Sequence, residues 1–202
     1  LQFDMLNAGL PNSLLDKTVR QHEPFYHSAL PFPHAVIDGL FPPAELQMVE
    51  AEVPEAEASP KNWSGAFKGG SCIPHARVCY EDRDQMLKSE LAHRFMGPRL
   101  RLLFKLLRSQ QFIRFLEQLT GIPDLIADPG DFGSSVHVTG RGGRLQAHTD
   151  YNYVIDKGKT LHRRVNTFIY LNRHWEDAYE GHLELWSRNL SACERRILPV
   201  FN

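Results

Sequence analysis

The hydrophobic period of this chain changes from that of a helix to that of a strand near residue 131, and few architectures accommodate that order. Before the change, Leu100, Leu103, Phe104 and Leu107 recur at i, i+3, i+4 and i+7, the spacing that lays apolar side chains along one helical face. Phe112, Phe115, Leu116 and Leu119 repeat it, and Gly121 with Pro123 predicts where the second helix stops. After the change, a strand over 165–171 would carry Val165, Thr167, Ile169 and Leu171 on one face. Asn166, Phe168 and Tyr170 would fall on the other. Helices followed by strands predict an α+β domain, with the helices on one side of an antiparallel sandwich or barrel. The 202 residues suffice for a single domain with a core, taken as 1–202.

Within it, residues 1–30 read as an irregular polar leader with one short helix. Residues 31–127 read as mainly helical support, and 128–202 as the stranded part. Prolines bound a predicted leading strand at Pro31–Asp38. Pro43 then opens a helix with Leu46, Val49 and Val53 on one face. Residues 54–80 carry the Pro, Gly, Ser and Lys of a mobile loop, of which Trp63 and Phe67 mark a packed part.

Charge narrows the partners. With 23 basic and 24 acidic residues the formal net charge is −1, so no broad attraction to nucleic acid or anionic lipid follows. Arg94, Arg99, Arg101, Lys105 and Arg108 are a candidate basic patch, but they read more simply as the solvated face of a helix. Cys72, Cys79 and Cys193 form neither a CxxC pair nor a disulfide framework, which predicts reduced thiols and a cytoplasmic location. No stretch approaches the ~20 apolar residues of a membrane span. Residues 1–10 lack the basic and apolar regions of a signal peptide, and without an initiator Met further residues are expected upstream. The oligomeric state is not legible.

The chemistry concentrates at His148-Thr149-Asp150, behind Gly140, Gly142 and Gly143, whose glycines predict a tight turn into a strand. Two residues apart on a strand, an imidazole and a carboxylate point to the same side. They can supply two corners of the 2-His-1-carboxylate set that leaves open positions on Fe(II). The third corner is expected to be a later His. A lone His-x-Asp is weak evidence, because such pairs are usually surface polar residues; the ordered series around it adds weight.

That series is Asp128-Pro129, Gly133, His137, Gly142-Gly143, Leu145, His148-x-Asp150-Tyr151-Asn152 and Arg163-Arg164-x-Asn166. It continues with Tyr170-Leu171-Asn172, Trp175, Gly181-His182-Leu183-Glu184-Leu185-Trp186 and Pro199-Val200-Phe201-Asn202. It resembles the prolyl-4-hydroxylase-like family of 2-oxoglutarate- and Fe(II)-dependent dioxygenases, a bacterial subgroup above all, closely over 128–202 and more loosely over 32–127. The resemblance implies a double-stranded β-helix (jelly-roll) core with N-terminal helices packed on one sheet. It implies Fe(II) and 2-oxoglutarate as cofactor and co-substrate, with ascorbate as a further candidate. The implied reaction is O2-dependent hydroxylation of a peptidyl or small-molecule substrate. His148 and Asp150 match the first two iron ligands, and Tyr170 a position lining the 2-oxoglutarate pocket. Asn166 joins Tyr170 by alternation alone, and His137 is a candidate for the same pocket or a structural histidine. The family's distal His and the basic anchor of 2-oxoglutarate follow the Pro-Val-Phe-Asn segment and are not in this sequence, so a C-terminally incomplete domain is expected.

Other residues carry blander readings. Arg163 and Arg164 could meet an anionic substrate or form a strand-end salt bridge. His182 and Glu184 are read as structural rather than as a second metal site, and Trp175 and Trp186 as packing residues. Two alternatives stay open for the whole. One is a cupin-like enzyme using Zn or Mn, although the His-x-His of cupins is missing. The other is a non-enzymatic jelly-roll binding domain.

Overall fold

The computed structural model describes residues 5–53, 63–67, 71–72, 85–91, 93–130 and 134–202. Among the described residues five α-helices precede residue 121: α1 Met5–Ala8, α2 Asn12–Tyr26, α3 Pro43–Glu50, α4 Pro98–Leu107 and α5 Gln110–Thr120. Their apolar stripes meet in one core that includes Met5, Leu10, Leu46, Val49, Leu100, Leu103, Phe112, Phe115 and Leu119. The predicted periodicity of α4 and α5 holds. Ser109 caps α5 by accepting from the Phe112 amide at 3.2 Å, and Gly121 ends it in the left-handed region at φ 66°.

The start of α4 solves the same capping problem differently. Its cap residue, Gly97, has no side chain, so the Glu52 carboxylate beyond α3 accepts from the Arg99 and Leu100 amides at 2.8 and 3.0 Å. A negative group there also complements the helix dipole. A methyl group on Gly97 would lie 3.1 Å from Glu52 Cβ and overlap the carboxylate, so glycine makes room for the remote cap.

Several expectations change. The leader is not irregular: α2 runs for 15 residues, with Leu15 and Thr18 buried and Pro24 inside its last turn. Pro31–Asp38 forms no strand; Pro31 and Pro33 have no N–H to donate to a ladder. Part of the predicted loop at 54–80 is stranded, as β1 Trp63–Phe67 and β2 Ser71–Cys72. Cys79 and Gly133 lie outside the described residues. Cys193 is a free thiol. The basic patch is largely tied into the fold. Arg99 pairs with Glu45 at 3.8 Å, Arg101 donates to the Met96 carbonyl at 2.8 Å, and Arg94 lies over the Phe95 ring.

Among the described residues the strands make three small antiparallel sheets. One has the order β2-β1-β3-β4, with β3 Gln85–Leu91 and β4 His137–Leu145. The others are hairpins, β5 Tyr153–Asp156 with β6 Lys159–His162, and β7 Leu183–Trp186 with β8 Cys193–Ile197. The architecture is therefore α+β. A closed jelly roll is not formed by the described residues. Residues 165–171 have no ladder; of the face predicted to pack, Ile169 and Leu171 meet the helical core while Thr167 is exposed, and Phe168 stacks on Tyr170.

Hydrogen bonds tie the two halves together through the last residues. The Asn202 amide donates to the Tyr170 carbonyl at 3.0 Å, and its carbonyl accepts from Gly39 at 3.0 Å. Its side chain receives the Phe41 amide at 3.0 Å and donates to the Phe41 carbonyl at 2.6 Å. Among the described residues no helix is long and apolar enough to cross a membrane.

Candidate metal centre

The glycines before His148 do not form the predicted turn. They lie inside β4, where the pairing with β3 jumps from Lys88↔Thr139 to Met86↔Arg144. The extra residues between Thr139 and Arg144 bulge out, with Gly142 at φ 77°, a conformation glycine adopts without steric cost. The chain then leaves the ladder at Leu145, so His148, Thr149 and Asp150 sit in irregular backbone rather than on a strand.

Even so, the two side chains converge. His148 Nε2 lies 3.4 Å from Asp150 Oδ1. His148 Nδ1 lies 2.7 Å from the Gln146 carbonyl oxygen. A carbonyl only accepts, so Nδ1 carries the hydrogen. In the neutral ring Nε2 then presents a lone pair to a carboxylate oxygen, an arrangement that is favourable only with a proton or a cation between them. Adjacent ligands at ~2.1 Å from an octahedral ion stand about 3 Å apart, close to the observed separation. Nitrogen and oxygen donors of this kind suit Fe(II), and both side chains are a little under half exposed, at 46% and 44%, so the site is open.

The second oxygen of Asp150 is held elsewhere. Oδ2 forms an ion pair with Arg163 Nη2 at 3.1 Å and accepts from Asn166 Nδ2 at 3.2 Å. The Arg163 guanidinium covers the Tyr151 ring at 4.7 Å, and its amide donates to the Asn152 carbonyl at 2.8 Å. Of the two readings open for Arg163, the ion pair is the one formed, and its partner is the candidate ligand. The intervening hairpin went unread in the sequence. Lys157 and Gly158 both have positive φ, at 47° and 77°, as a two-residue hairpin turn requires, and a residue-Gly pair between short stranded segments is the signal for it.

His137 pairs across strands with Glu90, Nε2 to Oε1 being 3.6 Å. Burial first, and the Lys88 ammonium second, push its imidazole below the ordinary value. Glu90 and Asp150 oppose that shift. Asp150 is thus within electrostatic reach of His137, so His137, His148, Asp150 and Asn166 share one neighbourhood. Tyr170 is stacked on Phe168 with ring centroids 6.4 Å apart. Burial holds its phenol above the ordinary value. Among the described residues no cluster of three or more His, Cys, Asp or Glu side chains has metal-binding geometry.

His182 and Glu184 are engaged structurally. His182 Nε2 meets Asp177 at 2.9 Å, and Nδ1 meets Arg196 at 3.1 Å. Glu184 accepts from the Trp186 indole at 3.0 Å, and the Trp175 indole donates to the Glu180 carbonyl at 2.9 Å.

Residues 134–202, about a third of the chain, match the family model of the 2OG-Fe(II) oxygenase superfamily. The match spans His137, His148, Asp150, Asn166 and Tyr170 and supports a member of that superfamily. No curated protein and no solved structure gives a match.

Proposed function

We propose that this protein is a 2-oxoglutarate-dependent hydroxylase in which His148 Nε2 and Asp150 Oδ1 hold one Fe(II). The observation that carries the reading is the convergence of His148 Nε2 and Asp150 Oδ1 at 3.4 Å, with His148 Nδ1 engaged by the Gln146 carbonyl. The family match over the same residues supports it. Bound Fe(II) would supply the redox chemistry by which O2 is reduced: one oxygen atom ends in succinate as 2-oxoglutarate loses CO2, and the other in the hydroxyl formed at a substrate C–H bond. The strands from residue 134 onward are read as part of a jelly-roll core of the prolyl-4-hydroxylase-like kind, and ascorbate as an auxiliary reductant. The substrate is a peptide or small molecule.

The chain's own residues position and select. Gln146 fixes the His148 tautomer through its carbonyl, as ligand histidines require. His137, its imidazole kept below the ordinary value, offers a neutral ring to the same neighbourhood. Tyr170 donates its phenolic hydrogen to a carboxylate of 2-oxoglutarate, giving that half-buried hydroxyl a partner. Phe168 and Asn166 line the approach.

Succinate formation against 2-oxoglutarate concentration, in the full-length protein with saturating iron, tests this assignment. Losing a hydrogen bond to a charged group costs ~1.5–3 kcal/mol, and ~1.4 kcal/mol is a factor of ten. Tyr170→Phe should therefore raise the Km for 2-oxoglutarate roughly tenfold to a hundredfold and leave metal affinity unchanged. An unaltered Km in a folded variant would mean that the phenol serves only packing.

A further inference from the structure

We propose that Arg163 is a positioning residue that presents Asp150 to the metal, an inference that rests on His148 and Asp150 being the metal's ligands. The carboxylate has two oxygens with separate tasks. Oδ2 is taken by Arg163 and Asn166 at 3.1 and 3.2 Å, and Oδ1 is turned to His148 Nε2. Without the ion pair and the Asn166 hydrogen bond the carboxylate would rotate freely, since Asp150 sits in irregular backbone and is nearly half exposed.

Arg163 is itself held on two sides. Its guanidinium lies over the Tyr151 ring, and its amide closes the base of the β5–β6 hairpin by donating to the Asn152 carbonyl. Tyr151 follows Asp150 directly in the chain, so the ligand and the seat of its clamp move together. The planar guanidinium can stack on a ring and present N–H groups at its edge at once; an ammonium cannot reproduce that geometry. The neighbouring Arg164 is exposed.

Charge alone acts in the opposite direction. A guanidinium this close to Asp150 repels a divalent cation, so deleting the side chain mixes lost positioning with relieved repulsion. Arg163→Lys keeps the charge and removes the planar fork and the stacking, which isolates positioning. Outer partners of metal ligands typically contribute about 10–100-fold in affinity. Titration of the full-length protein with Mn(II), read by electron paramagnetic resonance, should give a Kd roughly tenfold weaker for Arg163→Lys. Tyr151→Leu, which removes only the seat, should shift Kd in the same direction. Circular dichroism and Tm should match the wild type in at least one of the two. Wild-type Kd in both variants would overturn the proposal while leaving the metal site standing. Absence of saturable Mn(II) binding by the wild-type protein would overturn the site and the proposal together.

Discussion

Replacing His148 by alanine should weaken divalent-metal binding by more than about a hundredfold, because losing even the outer partners of a ligand costs ~10–100-fold and His148 is a direct donor. The fold should survive. The side chain is 46% exposed, and its internal hydrogen bond is to a carbonyl two residues away. Substitutions at such positions usually change stability by less than ~0.5 kcal/mol. Metal affinity and Tm should thus separate. Mn(II) titration beside a thermal melt checks this, and a variant binding as tightly as the wild type would remove His148 from the site.

The second large effect belongs to the helical core. Leu100 is 1% exposed and lies on α4 within the cluster shared by all five helices. Leu100→Ala removes buried methyl groups and leaves a cavity, which costs ~2–5 kcal/mol. For a chain of this size each kcal/mol moves Tm by about 2–4 °C, so a loss near 3 kcal/mol corresponds to roughly 6–12 °C. Ile155, at 67% exposure on the β5–β6 hairpin, supplies the contrast: Ile155→Ala should change stability by under ~0.5 kcal/mol. Thermal or denaturant unfolding of the pair measures both. A loss below about 1 kcal/mol at Leu100 would mean that the site collapses around the cavity.

What could be read in advance follows the range of the forces involved. Helices α4 and α5 were legible because their stripes and the Gly121 stop are local. Helix α2 was not, since Leu15 and Thr18 are its only buried side chains and so narrow a stripe resembles noise in a polar segment. Ile169 and Leu171 were legible as core-facing because alternation does not need a ladder, although Thr167 of the same set stays exposed. Sheet pairing was out of reach. Joining β3 to β4 brings Glu90 beside His137, and nothing local encodes that partnership. The bulge misled for a related reason: glycines that read as a turn instead let β4 shift register and continue. At the site, His148 and Asp150 were legible as types at a spacing. The hold of Arg163 and Asn166 on Asp150 spans 13 and 16 residues and depends on the hairpin that the Lys157-Gly158 turn closes.

The central claim is that His148 and Asp150 hold an iron to which 2-oxoglutarate binds. The most direct measurement is the visible spectrum of the full-length protein under argon as 2-oxoglutarate is added with Fe(II). Chelation of Fe(II) by a 2-oxo acid produces charge-transfer absorption, which should grow to saturation at one equivalent of iron per chain in the wild-type protein and be absent from Asp150→Ala. An absorption of equal strength in Asp150→Ala, or none in the wild type, would contradict the account.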